Sequence, residues 1–125
     1  MTAAPDDNTG NFSEAVRAGD FLFVSGQASV DENGTIVGGD LADEMDRSIA
    51  NLRRVLAGYG LDLSDVVKVT AYLRDPGDLE LYNSLYRRYF APPRPARTTL
   101  TNCLPEDLKF EIDAVAYLPS TRDAS

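Results

Sequence analysis

The sequence contains no histidine, and this absence removes several kinds of catalysis at once. Ser-His-Asp and Cys-His arrangements need an imidazole, which is also the commonest general base in enzymes. The chain has a single cysteine, Cys103, so a disulfide within the chain and zinc sites built from cysteine and histidine are excluded as well. Any chemistry must therefore use carboxylates, arginine, hydroxyls and backbone groups.

Positive charge is scarce too, because 12 lysines and arginines face 20 aspartates and glutamates, for a net charge of −8. Proteins that bind a phosphate backbone normally present a basic surface, so we expect no nucleic-acid partner. No apolar run approaches the ~20 residues of a membrane span, and residues 1–10 lack the apolar core of a signal peptide. We expect a cytoplasmic protein without a membrane partner.

The length and composition are those of one soluble globular domain. A chain of 125 residues can form a single core, and 43% hydrophobic with 26% charged residues is ordinary for this class. Both ends are polar and lack apolar periodicity. We predict a disordered arm over residues 1–11, one domain over residues 12–119 and a flexible tail over residues 120–125.

Turn residues predict two hairpins before the first helix. The segment Ala18-Gly19-Asp20 separates two strand-like stretches, and Asn33-Gly34 is a favoured hairpin-turn pair. The predicted strands are Ala15–Arg17 with Phe21–Ser25, and Ala28–Val30 with Thr35–Val37.

Apolar stripes at spacings of three and four predict two helices, over Leu41–Tyr59 and over Leu79–Phe90. Asp40 is placed to cap the first helix, and Gly60 follows its end. Alternation predicts strands in two further segments. These are Val66–Leu73, with Val67, Val69, Ala71 and Leu73 on one face, and Phe110–Leu118, with Phe110, Ile112, Ala114, Ala116 and Leu118 on one face.

The order of these elements predicts an α+β fold of two layers, because right-handed strand–helix–strand crossovers place both helices on the same face of the sheet. The uncovered face would carry Tyr72, Val115 and Tyr117 beside charged residues. A partly apolar sheet face in so small a domain indicates burial against other subunits. We therefore expect an oligomer.

Arg97 is the leading candidate for ligand binding. The proline-rich segment Pro92–Ala96 before it is stiff, so the guanidinium fork is presented in one direction, as recognition of a small carboxylate requires. Arg97 and Thr99 share a face of the strand-like stretch that follows the prolines. Glu111 and Asp113 share a face of the predicted strand Phe110–Leu118. If the two strands pair, these groups gather on the uncovered face. The alternative is a cross-strand Arg–Glu pair without chemistry.

Three other positions have open interpretations. Ser25-Gly26 is either a simple turn or a place where backbone groups approach a ligand. Asn83 lies near the polar edge of the second helix, where plain exposure is the simpler explanation. Cys103 has no basic neighbour in sequence and is interpreted as a small buried apolar residue.

Six segments in order resemble the RidA/YjgF family of reactive-intermediate deaminases, over Phe12 to Leu118. The segments are Phe12–Val16, Phe23–Gln27, Asp65–Leu73, Tyr82–Phe90 without its Arg87-Arg88 pair, Pro95–Thr99 and Glu111–Ala116. The resemblance implies a chorismate-mutase-like α+β fold, a mixed sheet with two helices on one face, and a homotrimer with ligand clefts between subunits.

The resemblance also implies an activity. Family members hydrolyse enamines and imines, such as 2-aminoacrylate and 2-iminobutanoate, to 2-oxo acids and ammonia, with no metal and no organic cofactor. By this resemblance Arg97 holds the substrate carboxylate and Glu111 positions water, and the remaining site residues bind substrate. These are Asn83, Ser25, Gly26, Phe12 and Thr99. Many family members have tyrosine in place of Phe12 and cysteine in place of Thr99.

Three alternatives to general imine hydrolysis stay open. The first is a RidA-like enzyme for a dedicated pathway intermediate, since the apolar ring of Phe12 favours a larger or less polar substrate. The second is a non-catalytic trimer that binds a small acid or acts like a chaperone. Ribonuclease activity ranks last because of the negative charge and the missing histidine.

Overall fold

The computed structural model describes residues 10–105 and 107–120. The predicted arm and tail therefore fall mainly outside the described residues. The fold consists of five strands and two helices, apart from short turns. Their bounds are β1 Ala15–Ala18, β2 Phe21–Ala28, α1 Leu41–Ala57, β3 Val66–Leu73, α2 Leu79–Tyr89, β4 Ala96–Leu100 and β5 Phe110–Tyr117.

The strands form one mixed sheet in the order β1-β2-β5-β3-β4. Strand β3 pairs in parallel with β4, whereas β1–β2, β2–β5 and β3–β5 are antiparallel pairs. Helix α1 packs on β2 and β5, and Tyr82 of α2 lies 6.1 Å, between ring centroids, from Phe110 of β5. Both helices therefore cover the same side, which confirms the two-layer α+β prediction. We call this side the helix face and the opposite side the open face.

Helix α1 begins where the sequence predicted. The Asp40 carboxylate accepts a hydrogen bond from the backbone N–H of Asp43 at 2.9 Å, and the Asp43 carboxylate accepts one from the N–H of Asp40 at 3.3 Å. This reciprocal capping box satisfies two N–H groups that the helix leaves unpaired. The helix ends at Ala57, earlier than predicted, and the chain turns through Gly60 with φ of 76°.

The hydrophobic core lies between the helices and the helix face, and the alternation of β5 confirms its predicted face. Along β5, Ile112 and Ala114 are buried, whereas Glu111 and Asp113 point to the open face. The prediction for Val67 is wrong, because its side chain is 42% exposed. The pairing of β3 with β5 shifts register between Val66 and Lys68, so this irregularity moves Val67 out of the core.

The second predicted hairpin is reduced to a single bridge between Val30 and Ile36. The carboxylate of Asp31 accepts hydrogen bonds from the backbone N–H groups of Asn33 and Thr35, at 2.9 and 3.0 Å. This local capture of backbone donors competes with a strand ladder. The first hairpin, β1–β2, is confirmed.

The open face carries large apolar side chains that no described residue covers. Phe21 and Tyr117 contact each other at 5.8 Å between ring centroids and are 40% and 44% exposed. Phe23 on the same face is 48% exposed. Within residues 10–105 and 107–120, no helix combines the length and apolar character of a membrane span.

Candidate functional site

Arg97 lies on the helix face of the edge strand β4. Its partner in the parallel pairing is Val69, a fully buried core residue, and neighbouring strands in register point their side chains to the same side. The Arg97 guanidinium carbon is 5.0 Å from the ring centroid of Tyr82 and 4.7 Å from that of Tyr86. Two helix α2 rings therefore hold the cation by cation–π contacts.

The rings under Arg97 are themselves fixed. Tyr82 is fully buried and its hydroxyl is hydrogen bonded to the Thr99 hydroxyl at 2.8 Å, while Tyr86 stacks on Phe90 at 4.7 Å. Burial raises the pKa of Tyr86 to about 12, against the opposing effect of Arg97. Both rings therefore stay neutral, and the hydroxyl of Thr99 serves to position Tyr82.

A cleft of about 350 Å³ opens beside Arg97. We call it the arginine cleft. Its lining residues are Asn83, Tyr86, Arg87, Arg94, Pro95 and Arg97. The Asn83 Oδ1 atom is buried there and accepts no hydrogen bond from the described residues. Asn83 is thus half-buried in the cleft rather than plainly exposed, and it offers a ligand an acceptor.

Arg97 forms no salt bridge with any described residue. The structure therefore rejects the alternative of a cross-strand Arg–Glu pair. A guanidinium on an aromatic platform without a carboxylate partner is suited to bind a ligand carboxylate with two parallel hydrogen bonds.

Glu111 lies on the open face, opposite to Arg97. The condition under which the two groups would gather on one face is not met, because β3 lies between β4 and β5 and their strands do not pair. Glu111 is in register with Tyr72 of β3, which alternates with the buried Ala71. One chain therefore does not bring Glu111 and Arg97 to the same small ligand.

Gly26 adjoins Glu111. The pairing of β2 with β5 is irregular between Val24 and Gln27, and this irregularity sets Gly26 against the Glu111 side chain. A Cβ atom at Gly26 would collide with Glu111 Oε2 and lie 3.0 Å from Glu111 Cδ. The absence of a side chain at Gly26 thus leaves room for the Glu111 carboxylate.

The Glu111 carboxyl group is shifted toward its protonated form. Partial burial raises its pKa above the usual 4.5, and the nearby negative charge of Asp113 raises it further. Asp113 is held in place by the Tyr72 hydroxyl, which donates to its carboxylate at 2.7 Å. We call Gly26, Glu111 and Asp113 together the acid half of the candidate site.

Ser25 lies next to Gly26 of the acid half on β2. The Ser25 hydroxyl donates to the backbone carbonyl of Ser13 at 2.6 Å, so its proton is engaged within the chain. Phe12, which precedes Ser13, is 77% exposed and contributes no hydroxyl. The structure thus brings Ser25 and Gly26 close to Glu111, and Asn83 and Thr99 close to Arg97, but it separates the two groups.

The comparisons with known proteins agree on a family. The sequence matches the family described as Endoribonuclease L-PSP over residues 1–118. A RutC family protein of Pyrococcus horikoshii is 41% identical over 110 residues, which are 86% of this chain and 87% of the relative. The human 2-iminobutanoate/2-iminopropanoate deaminase is 34% identical over 117 residues, 92% of this chain and 85% of the relative. The chain belongs to the RidA/YjgF family.

Solved structures of the RidA/YjgF family share the architecture. RidA from an Antarctic Psychrobacter superposes with a TM-score of 0.79 at 28% identity, covering 88% of this chain and 90% of that one. The names within the family differ in the function that they state, since they include RutC family proteins and imine deaminases. Family membership therefore establishes the fold, whereas the activity depends on the residues of the site.

Sequence reasoning missed four residues of the RidA/YjgF-type site described here. Tyr82 and Tyr86 belong to the apolar stripe that predicts α2, and that pattern does not reveal their contact with Arg97. Arg87 and Arg94 were not considered for the site. A signal was present, because Asn83 and Arg87 are four residues apart on one helix and therefore share a face.

Cys103 is half-buried, and its sulfur lies 3.6 Å from the carbonyl oxygen of Leu73. Across the described ranges, no group of three or more histidine, cysteine, aspartate or glutamate side chains is arranged to hold a metal ion.

Proposed function

We propose that the protein is an imine deaminase that hydrolyses small 2-imino acids to 2-oxo acids and ammonia, including those formed from enamines such as 2-aminoacrylate. The observation that carries this proposal is the Arg97 guanidinium in the arginine cleft, packed on Tyr82 and Tyr86 without a carboxylate partner among the described residues. The name of the human relative supports the reaction class.

The complete site would be formed by two subunits. Because Arg97 and Glu111 lie on opposite faces of the sheet, they can serve the same substrate only if Glu111 comes from a neighbouring copy. The exposed aromatic side chains of Phe21, Phe23 and Tyr117 on the open face support such an interface. A contact between two different surfaces forms a ring where the rotation between subunits closes, and we propose such a ring of three subunits, a homotrimer.

Each residue then has a defined task. Arg97 holds the substrate carboxylate, which places the imine carbon in the cleft. Asn83 Oδ1 accepts a hydrogen bond from the imine nitrogen. Glu111 of the neighbouring subunit removes a proton from water as the water oxygen bonds to the imine carbon. That proton passes to the nitrogen and gives a carbinolamine. Glu111 then takes the hydroxyl proton of the carbinolamine and delivers it to the nitrogen as the carbon–nitrogen bond breaks, so that one imine and one water give one 2-oxo acid and one ammonia.

The raised pKa of Glu111 suits this exchange, because a group that titrates closer to neutral pH can both accept and return a proton. Gly26 keeps the space in which the carboxylate lies. The absence of histidine is no obstacle, since an imine is already electrophilic and needs no covalent activation.

A second candidate function is binding of a small acid without turnover. Two observations on the same half of the site favour it. Phe12 offers no hydroxyl, and the hydroxyl proton of Ser25 is engaged by Ser13, so neither side chain donates a hydrogen bond to a catalytic water in this arrangement.

Subunit complementation tests the proposal. Arg97→Ala and Glu111→Gln proteins are each prepared, mixed in equal amounts, unfolded and refolded together. In a random trimer, about one quarter of the interfaces combine an intact Arg97 with an intact Glu111, so about a quarter of the wild-type turnover should return. Imines are generated by an amino acid oxidase, and their loss is followed by competition with semicarbazide.

The outcomes separate the candidates. Mixtures that regain no activity, while the wild-type protein is active, would refute the shared site. A wild-type protein that binds pyruvate or 2-oxobutanoate tightly but leaves imine decay at its spontaneous rate would support the binding function instead. Cleavage of RNA would support the function named in the family description.

A further inference from the structure

The arginine cleft contains more positive charge than a substrate with one carboxylate needs. We propose that Arg87 and Arg94 bind a second anionic group, so that the preferred substrates are 2-imino acids whose side chain ends in a carboxylate or phosphate. This inference rests on the proposed function, because it assigns a substrate class to the same cleft.

Three guanidinium groups line a cleft of about 350 Å³, and no acidic side chain lines it. The ion pairs of the described residues involve Arg53, Arg54 and Lys109, so Arg87, Arg94 and Arg97 are all left without a carboxylate. In a chain with a net charge of −8, such a concentration of unpaired cations is a local exception. Electrostatic complementarity then favours an anionic ligand.

The backbone places the two additional arginines in the lining of the same cleft as Arg97. Arg87 follows Asn83 by one helical turn of α2 and therefore shares its face. Arg94 precedes Arg97 by three residues, and its Nε atom donates to the carbonyl oxygen of Phe90 at 2.8 Å. This bond anchors Arg94 and leaves its two terminal nitrogens for a ligand.

The charges decide between substrate classes. The α-carboxylate neutralises Arg97, and Glu111 of the neighbouring subunit acts at the imine carbon, so the charges of Arg87 and Arg94 stay unneutralised and repel each other. An apolar side chain, such as that of 2-iminobutanoate, leaves that repulsion in place, whereas a second anion relieves it with charge-assisted hydrogen bonds. The volume lies at the small end of ligand pockets and fits a short diacid.

The reaction would be the same hydrolysis. For 2-iminosuccinate, water adds to the imine carbon, the carbon–nitrogen bond breaks, and oxaloacetate and ammonia are the products, with both carboxylates unchanged. A flavin- or nicotinamide-dependent oxidation of an acidic amino acid is the class of reaction that supplies such an imine.

The experiment measures specificity in the full-length protein. The ratio of kcat/KM for 2-iminosuccinate to that for 2-iminopropanoate is compared between wild type, Arg87→Gln, Arg87→Lys and the Arg87→Gln, Arg94→Gln double variant. Arg88→Gln is the matched control, because it removes the same charge from the same helix outside the cleft. Calorimetry of oxaloacetate, 3-phosphohydroxypyruvate and pyruvate binding to the same proteins gives a readout independent of turnover.

We expect the double variant to lower the specificity ratio about tenfold or more, since each lost charge-assisted hydrogen bond costs about a factor of ten. Arg87→Gln alone should give part of this loss, Arg87→Lys should recover some of it, and Arg88→Gln should leave the ratio unchanged. The calorimetric arm decides whether carboxylate or phosphate is favoured.

A ratio that is the same in the double variant and the wild type would overturn the inference, as would equal binding of oxaloacetate and pyruvate by the wild type. Arg87→Gln breaks no hydrogen bond that the structure describes, so its result holds even where the double variant fails to fold. Failure of the proposed function is a different result, namely no hydrolysis of either imine by the wild type. In that case the calorimetric arm still decides whether the cleft prefers a second anion.

Discussion

The two faces of the sheet prepare their functional groups by different physical means. On the helix face, packing fixes the Arg97 cation, because buried aromatic rings hold it and no counter-ion neutralises it. On the open face, Glu111 depends on the absence of a side chain at Gly26 and on the charge of Asp113. The position of Arg97 is thus set by core packing. The position and the pKa of the Glu111 carboxylate are set by the free space at Gly26 and by electrostatics.

This difference shows which changes should affect which step. Alterations under Arg97 remove the grip on the substrate. Alterations around Glu111 change its pKa or displace its side chain. They leave the binding of the substrate carboxylate by Arg97 unchanged. The following predictions separate the two halves, beginning with the largest effect.

Arg97→Ala should lower kcat/KM for imine hydrolysis by about 100-fold or more, because the substrate is no longer held at a fixed position relative to the reacting water. Steady-state assays with 2-iminopropanoate measure the loss. Arg88→Ala, on the solvent side of α2, is the control and should be as active as the wild type. Turnover that survives in Arg97→Ala would contradict the role of the helix face.

Gly26→Ala should lower kcat about tenfold, because the new methyl group displaces the Glu111 carboxylate from its position. Binding of pyruvate, measured by calorimetry, should change little, since Arg97 is untouched. Gly38→Ala is a matched control, as a Cβ at Gly38 meets no heavy atom within 4 Å. Equal kcat values for the two variants would show that the acid half tolerates displacement.

Asp113→Asn should move the acid limb of the kcat/KM profile to lower pH. Glu111 must be ionised to accept a proton from water, so activity falls as the pH drops through its pKa. Asp113 contributes to raising that pKa, after burial, and its neutralisation therefore lowers it. The amide oxygen can still accept from Tyr72. A pH profile measures the effect, and an unmoved acid limb would assign that limb to another group.

Phe12→Tyr should have the smallest effect, an increase in kcat of about two- to tenfold, which corresponds to one added hydrogen bond. The new hydroxyl would help to orient water beside Glu111. Stopped assays with 2-iminopropanoate and with a bulkier imine compare the two proteins. A decrease for the bulkier imine would indicate that the ring of Phe12 selects that substrate.

Local patterns were enough to predict most of the fold. The predicted bounds of β3 agree with those in the structure. The predicted bounds of α1, α2 and β5 agree with the structure to within two residues. These segments have clear apolar periodicities, and Asp40 marks the start of α1. Val67 was assigned to the wrong face because an irregular register between two strands depends on the residues of both strands. The alternation within one strand does not reveal it.

The site was predicted less completely, for the same reason. Arg97 and Glu111 were named, but their relative placement depends on β3 lying between β4 and β5, which alternation within each strand does not encode. The aromatic platform under Arg97 depends on how α2 packs across the edge strand. Arg87 of α2 and Arg94 of the proline-rich segment line one cleft only once that segment has folded back beside α2, where Arg94 Nε donates to the carbonyl oxygen of Phe90.

The placement of Arg97 and Glu111 on opposite faces has a consequence for a cell that makes little of this protein. Under the proposed arrangement, a lone chain holds both chemical groups and no working site. Turnover per chain would therefore decline on dilution below the dissociation constant of the assembly. An enzyme with its site inside one chain would keep a constant turnover under the same dilution. The protein would thus respond to its own abundance, becoming active as it accumulates.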